Sequence, residues 1–357
     1  MVKAPTRLLI AASGTGGHLF PALALAEQLP DYQIEWLGVP DRLDTQLVPA
    51  QYRLHTISVE GFQERLGLST LRILGKLIGA VFQVRRLLKQ GEFQGVFTTG
   101  GYIAAPAVIA ARSLSLPVIL HEANAIPGKV TRTFSPLCSV ALGFEPAAQY
   151  LPRVRTVYTG TPVRSQFRLE AIDALPLLDL SIPAEVPLIV VVGGSQGAVA
   201  INQLVRQCAP AWSKEGAWIV HLTGKNDTDA SSFQHPQYIS LPFYDNMAGL
   251  LQRANLAISR AGAGSLTELA VTGTPAILIP YPYAAEDHQT YNAAIFAAAG
   301  AVVFRQDEVT PSLLESKVLS LLHSPQQLEQ MRSQVGAIAV PDSAERIAAL
   351  VRQLIEI

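Results

Sequence analysis

The chain has 357 residues, enough for two domains with buried cores. It is 49% hydrophobic and 15% charged, which excludes a disordered chain, and its net charge of -1 argues against nucleic acid as a partner. No run reaches the ~18 uninterrupted apolar residues of a spanning helix, Met1–Gly14 reads as a strand entering a loop rather than a signal peptide, and Cys138 and Cys208 make neither a metal motif nor an obvious disulfide.

Strands and helices alternate along the whole chain. Short apolar runs predict buried parallel strands at Leu8–Ala12, Ile34–Gly38, Gly95–Thr99, Val118–His121, Ser139–Leu142 and Arg155–Thr159. A second series follows at Leu188–Val192, Trp218–Leu222, Tyr238–Leu241, Leu256–Ser259, Ala276–Ile279 and Ala301–Phe304. Helical patterns occupy Pro21–Leu29, Ala104–Ser113, Ile201–Trp212, Ser265–Thr272, Gln289–Ala299 and Ser343–Glu356. The proline-bearing stretch Gly160–Pro187 reads as the linker, with the domain change near Pro162–Arg164. The expected fold class is α/β, with two doubly wound domains facing across a cleft. Whether the last helix packs back on the first domain is left open.

Two strand-to-glycine-loop units stand half a chain apart, in RLLIAASGTGGHLFPALALAEQL and PLIVVVGGSQGAVAINQLV. Glycine lets backbone turn sharply and approach a ligand, and the following helix offers unpaired N–H groups to phosphate. The first loop, Thr15-Gly16-Gly17-His18, lacks the GxGxxG spacing, and Asp41 is a weak ribose partner, so a nicotinamide or flavin site is disfavoured. Imidazole suits proton transfer near neutral pH, which makes His18 a base candidate; the alternative is a loop histidine holding the turn. Gly100-Gly101-Tyr102 is a second such loop, with Tyr102 either stacking on a sugar or covering the sheet edge.

His121, Glu122 and Asn124 bunch just after a buried strand, where α/β enzymes place chemistry. The HEAN run is not a zinc motif, because the second histidine is missing. Gly193-Gly194-Ser195-Gln196-Gly197 has no Walker lysine, so ATP hydrolysis is disfavoured; Ser195 and Arg164 are phosphate candidates. In Ala263-Gly264-Ser265-Leu266-Thr267-Glu268 small residues open a helix, and the Glu268 carboxylate stands one turn in, where it can accept both hydroxyls of a ribose diol. Gln289 and Asn292 share a helical face and could grip sugar hydroxyls, or be ordinary solvated polarity.

Between Phe62 and Lys89 the chain is apolar and basic. Leu74, Leu77, Ile78, Val81 and Phe82 follow helical spacing beside Arg72, Lys76 and Arg85, against the single acid Glu64. The bland reading is a core helix with a solvated basic face; the other is a helix that settles on anionic lipid.

SGTGGHLFPALALAE, TGGYIAAP, HEANAIPGKVTR, TGTPVR, GGSQGA with Asn202, PFYDNMA, SRAGAGSLTEL and EDHQTYNA, in this order, resemble the MurG family of glycosyltransferase family 28. The resemblance implies the GT-B fold, two Rossmann-like domains, with an acceptor and membrane-associated domain at 1–163 and a UDP-sugar domain at 164–340. It implies inverting transfer of N-acetylglucosamine from UDP-N-acetylglucosamine to the carbon-4 hydroxyl of lipid I, giving lipid II for peptidoglycan synthesis, without cofactor or metal. The implied setting is the cytoplasmic face of an anionic inner membrane, with proteins of cell-wall synthesis and division as partners and no nucleic acid.

By position, the resemblance puts Thr15, Gly16, Gly17 and His18 at the acceptor diphosphate and reacting centre, with Gly100, Gly101 and Tyr102 on the acceptor. Ser195 and Arg164 meet the donor phosphates. Tyr244 holds uracil through its backbone, Ala263–Glu268 holds pyrophosphate and ribose, and Gln289 and Asn124 hold the sugar. His18 is the expected base, with Glu122 or His121 as rival or orienting partner. Two departures stand out: position 244 is often aliphatic in the family, and Gly264 replaces a larger residue. The competing readings are another GT-B enzyme, such as a diacylglycerol glycosyltransferase or a UDP-N-acetylglucosamine 2-epimerase, and a non-enzymatic membrane scaffold.

Overall fold

A computed structural model describes residues 5–40, 44–59, 68–167, 177, 180–194 and 197–356. The chain divides into two units, Met1–Arg164 with Asp342–Ile357, and Ser165–Pro341.

In the first unit, β1 (Arg7–Ala11), β2 (Gln33–Gly38), β3 (Arg53–Thr56), β4 (Gly95–Thr98), β5 (Val118–Glu122), β6 (Ser139–Leu142) and β7 (Thr156–Tyr158) form a seven-stranded sheet. Its order is β3-β2-β1-β4-β5-β6-β7, and every pairing is parallel. Successive side chains of a strand point to opposite faces, so both faces of β1 need cover. Leu8 and Ile10 pack with Leu19 and Leu25 of the helix Gly16–Glu27 and with Ile347 and Val351 of the helix Ser343–Ile355. Leu9 and Ala11 face the other way, toward Val84 and Leu88 of the helix Leu68–Gln90 and Ala107 and Val108 of the helix Ala104–Arg112.

The second unit repeats the plan. β8 (Leu188–Val192), β9 (Trp218–Leu222), β10 (Tyr238–Leu241), β11 (Leu256–Ser259), β12 (Ala276–Leu278) and β13 (Val302–Val303) form a parallel sheet in the order β10-β9-β8-β11-β12-β13. Ile189, Val191, Ile258 and Ile277 pack against Ile201, Val205 and Trp212 of the helix Val199–Lys214, and against Leu314 and Val318 of the helix Pro311–Leu322.

In each sheet the strand order reverses once about the first strand. β1 has β2 on one side and β4 on the other; β8 has β9 and β11. The crevice outside the carboxyl ends of such a pair is where open α/β sheets bind ligands.

Some elements differ from the sequence expectation. The first helix begins at Gly16, not Pro21. Pro21 withholds only the bond to the Gly17 carbonyl near the open end, while Leu19 is fully buried by the extra turn. β3, of sequence RLHT, is a partly exposed edge strand with no apolar run to announce it. The helices Pro311–Leu322 and Pro325–Gly336 carried start signals that periodicity alone missed: proline at the first helical position and, at the first, the Thr310 hydroxyl accepting from the Leu313 amide at 3.2 Å.

The terminal helix belongs to the first unit. Beyond its apolar face, Arg352 donates to both oxygens of Asp31 at 2.6 Å, Tyr32 Oη donates to Glu356 at 2.7 Å, and Gln28 donates to Glu345 at 2.9 Å. The polar contacts are surface pairs and the apolar ones are core, so their weights differ. Val351→Asp should cost about 3 kcal/mol or more, whereas Arg352→Ala should cost less than about 1 kcal/mol. Urea denaturation followed by circular dichroism checks the contrast.

Candidate functional site

In the first unit the glycine loops Gly14–Gly17 and Gly100–Gly101 follow β1 and β4, the two strands that flank the order reversal. Gly14, Gly100 and Gly101 have φ of 108°, 85° and 71°, a region that side chains resist. In the first turn of the helix Gly16–Glu27 the His18 amide bonds the Thr15 carbonyl at 3.0 Å, while the Gly16 and Gly17 amides have no intrahelical acceptor and the Thr15 side chain does not cap them.

His18 lies in that first turn. Its Nδ1 is 2.7 Å from the Thr99 carbonyl oxygen. A carbonyl only accepts, so Nδ1 carries the proton and the neutral ring keeps its lone pair on Nε2. A Cβ on Gly101 would come 3.8 Å from Nε2, so the glycine leaves that nitrogen uncovered. Arg164 ends the first unit, and its guanidinium lies 4.8 Å from the Phe20 ring centre. Tyr102 is exposed.

His121 and Glu122 both end β5 buried, and their bonds suit support more than proton transfer. His121 Nε2 donates to the Gly160 carbonyl at 3.2 Å, and burial pulls its pKa down to about 4, so the ring is neutral. Glu122 accepts from the Asn124 amide (3.0 Å), Asn124 Nδ2 (3.2 Å), the Gly128 amide (3.1 Å) and Thr131 Oγ1 (2.6 Å). This carboxylate holds the Asn124–Gly128 turn in shape, and Asn124 is positioned by it.

In the second unit the loops after β8 and β11 flank the other reversal. Ser195 and Asp41 lie outside the described residues, as do Glu64, Arg65 and Leu66 of the basic stretch. Gly194 and Gly197 have positive φ, and a Cβ on Gly197 would fall 2.6 Å from the Thr223 carbonyl oxygen. The loop after β11 leads into the helix Ala263–Val271, which starts at Gly262 with no side-chain cap. Ala263, Gly264 and Ser265 supply its first-turn amides, Leu266 is fully buried, and Thr267 Oγ1 returns to the Ala263 carbonyl at 2.9 Å. Glu268 is half-buried in the next turn.

Gln289 ties this loop to its neighbour. Its Oε1 accepts from the amides of Ala261 (3.1 Å) and Tyr281 (2.9 Å), while buried Asn292 donates to the Ala261 carbonyl at 3.1 Å. Tyr244 is buried, so its ring is part of the packing and not a free stacking surface.

A polar network behind Gly197 escaped the sequence reading. Asn202 donates to the Thr223 carbonyl (2.8 Å) and to Asp227 (2.6 Å), which pairs with Arg206 at 2.7 Å. Asn202 Oδ1 accepts from His221 Nε2 at 3.0 Å, and His221 Nδ1 accepts from Tyr238 Oη at 2.6 Å. Burial lowers the His221 pKa to about 3, which keeps the ring neutral. The available signal was a histidine inside an apolar strand facing an asparagine inside a helix. Arg260, also buried, donates to the carbonyls of Ile279 (3.0 Å) and Pro280 (3.1 Å) and to Gln306 Oε1 (2.6 Å); burial lowers its pKa to about 10.

On the helix Leu68–Gln90, Leu74, Ile78 and Phe82 are exposed by 44%, 49% and 68%, so one stripe faces solvent. Leu77 and Val81 are half-buried, and Ala80, Val84 and Leu88 are core. Arg72, Arg86 and Lys89 are exposed, Lys76 is half-buried, and Arg85 donates to Ser113 Oγ at 3.0 Å. No helix among the described residues is long and apolar enough to cross a membrane.

The two buried neutral histidines make folding pH-dependent. An unfolded imidazole takes up a proton near 6.5, which folded His121 and His221 refuse until about 4 and 3. Stability should therefore fall as pH drops below 6.5, by about 2 kcal/mol per histidine at pH 5. Denaturant unfolding at pH 7.5 and 5 should show this loss, reduced in His221→Gln.

Comparison with known proteins agrees with the two-unit reading. The glycosyltransferase family 28 N-terminal domain matches residues 8–142, and the family 28 C-terminal domain matches 188–347. Relatives from Nostoc sp. (strain PCC 7120) and Trichormus variabilis are 69% and 70% identical over 100% of both chains. Both are named UDP-N-acetylglucosamine--N-acetylmuramyl-(pentapeptide) pyrophosphoryl-undecaprenol N-acetylglucosamine transferase. The crystal structure of MurG from Acinetobacter baumannii superposes with a TM-score of 0.76 at 29% identity, covering 98% of this chain and 100% of that one. Two parallel α/β units of this topology, matched in both halves and over their full length, make the chain a member of glycosyltransferase family 28.

Proposed function

We propose that this chain transfers N-acetylglucosamine from UDP-N-acetylglucosamine to the carbon-4 hydroxyl of the muramoyl sugar in lipid I. The observation that carries the reading is the paired architecture: in each unit, glycine loops and an uncapped helix N-terminus stand at the one place where the strand order reverses. One such site suits a nucleotide diphosphate and the other a lipid-linked diphosphate. The names of the full-length relatives supply the identity of both substrates.

In this reading the second unit holds the donor. The first-turn amides at Ala263–Ser265 take the pyrophosphate, Glu268 accepts the ribose hydroxyls, and Gln289 Nε2 reaches the sugar while its Oε1 braces the loops. Tyr244 contributes backbone to uracil, and Arg164 and Ser195 serve the phosphates. As the bond from the anomeric carbon to the UDP oxygen breaks, the amides stabilise the charge on the leaving diphosphate. In the first unit, His18 Nε2 takes the proton of the attacking hydroxyl, with Thr99 fixing the tautomer. Thr15, Gly16 and Gly17 meet the acceptor diphosphate, Gly100, Gly101 and Tyr102 border it, and Asn124 reaches the transferred sugar. His121 and Glu122 act as supports. Attack from the face opposite UDP inverts the anomeric centre, and the transfer needs no metal.

The stripe Leu74-Ile78-Phe82 with Arg72, Lys76 and Arg85 docks the first unit on an anionic membrane, where the lipid acceptor resides. The enzyme would then act as a peripheral protein at the cytoplasmic face of the inner membrane, beside proteins of cell-wall synthesis and division.

A transfer assay with labelled UDP-N-acetylglucosamine and a lipid I analogue, with and without chelator, tests the reaction; turnover without acceptor would point instead to an epimerase. His18→Ala should lower kcat by about 100-fold or more with donor affinity unchanged, while Glu268→Gln should weaken donor binding about tenfold by calorimetry. Phe82→Asp with Ile78→Asp should abolish association with anionic vesicles and leave the melting temperature near that of the parent protein, because neither side chain is core.

A further inference from the structure

We infer that Asp44 is the positioning residue of the acceptor loop: its buried carboxylate fixes the backbone from which Thr15–His18 springs. The inference rests on the reading of that loop as the acceptor and base side of the reaction. Asp44 is fully buried, at the start of the short helix Asp44–Leu47. Its Oδ2 accepts from Ser13 Oγ at 2.5 Å and from the Val39 amide at 2.8 Å, and its Oδ1 accepts from the Gly14 amide at 2.9 Å. One side chain thus joins the segment leaving β1 to the segment leaving β2.

Among the described residues the three partners are neutral donors, and together they occupy both carboxylate oxygens. A buried carboxylate needs hydrogen bonds to its oxygens, and these donors supply them. Space is matched as closely as charge. A Cβ on Gly38 would come 2.8 Å from Asp44 Oδ2, so glycine at 38 is a condition of the clamp. The Gly14 amide is consumed by Asp44, with Gly14 at φ 108°. Of the amides that follow in the first turn, that of His18 is taken by the Thr15 carbonyl, and those of Gly16 and Gly17 are the ones left for an anion. The clamp therefore sets both which amides point outward and where the His18 ring begins its reach to Thr99.

Asparagine at 44 has one oxygen and one NH2 group. Whichever way it turns, an N–H faces an N–H, and at least one of the three bonds is lost. A loop displaced by a fraction of an ångström should weaken acceptor binding and misplace the base, while the donor, held by the other unit, is unaffected.

The test uses the full-length enzyme, steady-state transfer to a lipid I analogue, and calorimetric binding of UDP-N-acetylglucosamine. Asp44→Asn should raise the acceptor KM by about tenfold or more with the donor dissociation constant within about twofold of the parent protein. Ser13→Ala keeps the carboxylate and both backbone bonds; should Asp44→Asn fail to fold, this variant carries the test, with an acceptor KM raised about threefold and an unchanged donor constant. A folded Asp44→Asn with a parental acceptor KM, or a Ser13→Ala whose donor and acceptor constants move together, overturns the clamp. His18→Ala run alongside separates the two ideas. Turnover surviving in His18→Ala overturns the underlying reading, whereas a silent His18→Ala beside a parental Asp44→Asn overturns the clamp alone.

Discussion

A loop that offers its amides to an anion cannot also use them to hold itself together. Four loops among the described residues meet that constraint in a related way. A buried or half-buried polar side chain behind the loop bonds inward-facing backbone, and helix-start amides such as those of Gly16 and Gly17 keep no intrahelical acceptor. Asp44 does this for Ser13 and Gly14, Glu122 for Asn124 and Gly128, Asn202 for the Thr223 carbonyl on which Gly197 rests, and Gln289 for Ala261 and Tyr281. The fold supplies the location, at the strand-order reversals, and these four side chains supply the shape.

The two units differ in the chemistry of their supports. In the first they are carboxylates, Asp44 with three donors and Glu122 with four. A carboxylate gathers several N–H groups at one point, which suits a sharply turning loop whose spare groups are donors. In the second they are amides, which donate and accept at once. Asn202 gives its protons to Thr223 and Asp227 and takes one from His221. The carboxylate in that network, Asp227, is neutralised by Arg206. Each unit buries a histidine in its neutral form, His221 within the Asn202 network and His121 on the Gly160 carbonyl, because a charged ring would be stranded in a low-dielectric interior. In the second unit the support therefore ties the geometry behind the loop to pH through folding stability, separately from any proton transfer in the reaction.

Much of this was legible in the sequence, for identifiable reasons. Strands such as Leu188–Val192 and Leu256–Ser259 are buried on both faces, and a continuous apolar run is what such burial requires. The glycine loops showed themselves because few residues tolerate their φ values. β3 was invisible, since an edge strand needs no apolar run. Pro21 misled, because one missing bond near a helix start weighs less than a buried leucine. The supports were harder still. Glu122 and His121 were recognisable as polar residues after a strand, but nothing in one dimension tells a group that meets substrate from one that meets the next turn. Asp44 gave no signal at all: its partners lie 31, 30 and 5 residues away, and only the juxtaposition of β1 and β2 brings them together.

The helix Leu68–Gln90 shows how one amphipathic pattern can serve two masters. Its apolar positions exceed what a single buried face can take. Ala80, Val84 and Leu88 satisfy the core of the first unit, and Leu74, Ile78 and Phe82 are left over on another face. Each such side chain gains ~1.5–3 kcal/mol when removed from water, so three of them give several kcal/mol to whatever surface covers them. That is far short of the energy that holds a spanning helix in a bilayer, and it sums with a further contribution from nearby Arg and Lys on an anionic surface. A contact of this size is reversible. On the proposed reading, an enzyme whose acceptor is anchored in a membrane and whose donor is dissolved in water would need that kind of contact: strong enough to keep the proposed acceptor loop at the lipid surface, weak enough that the fold does not depend on the lipid for its stability.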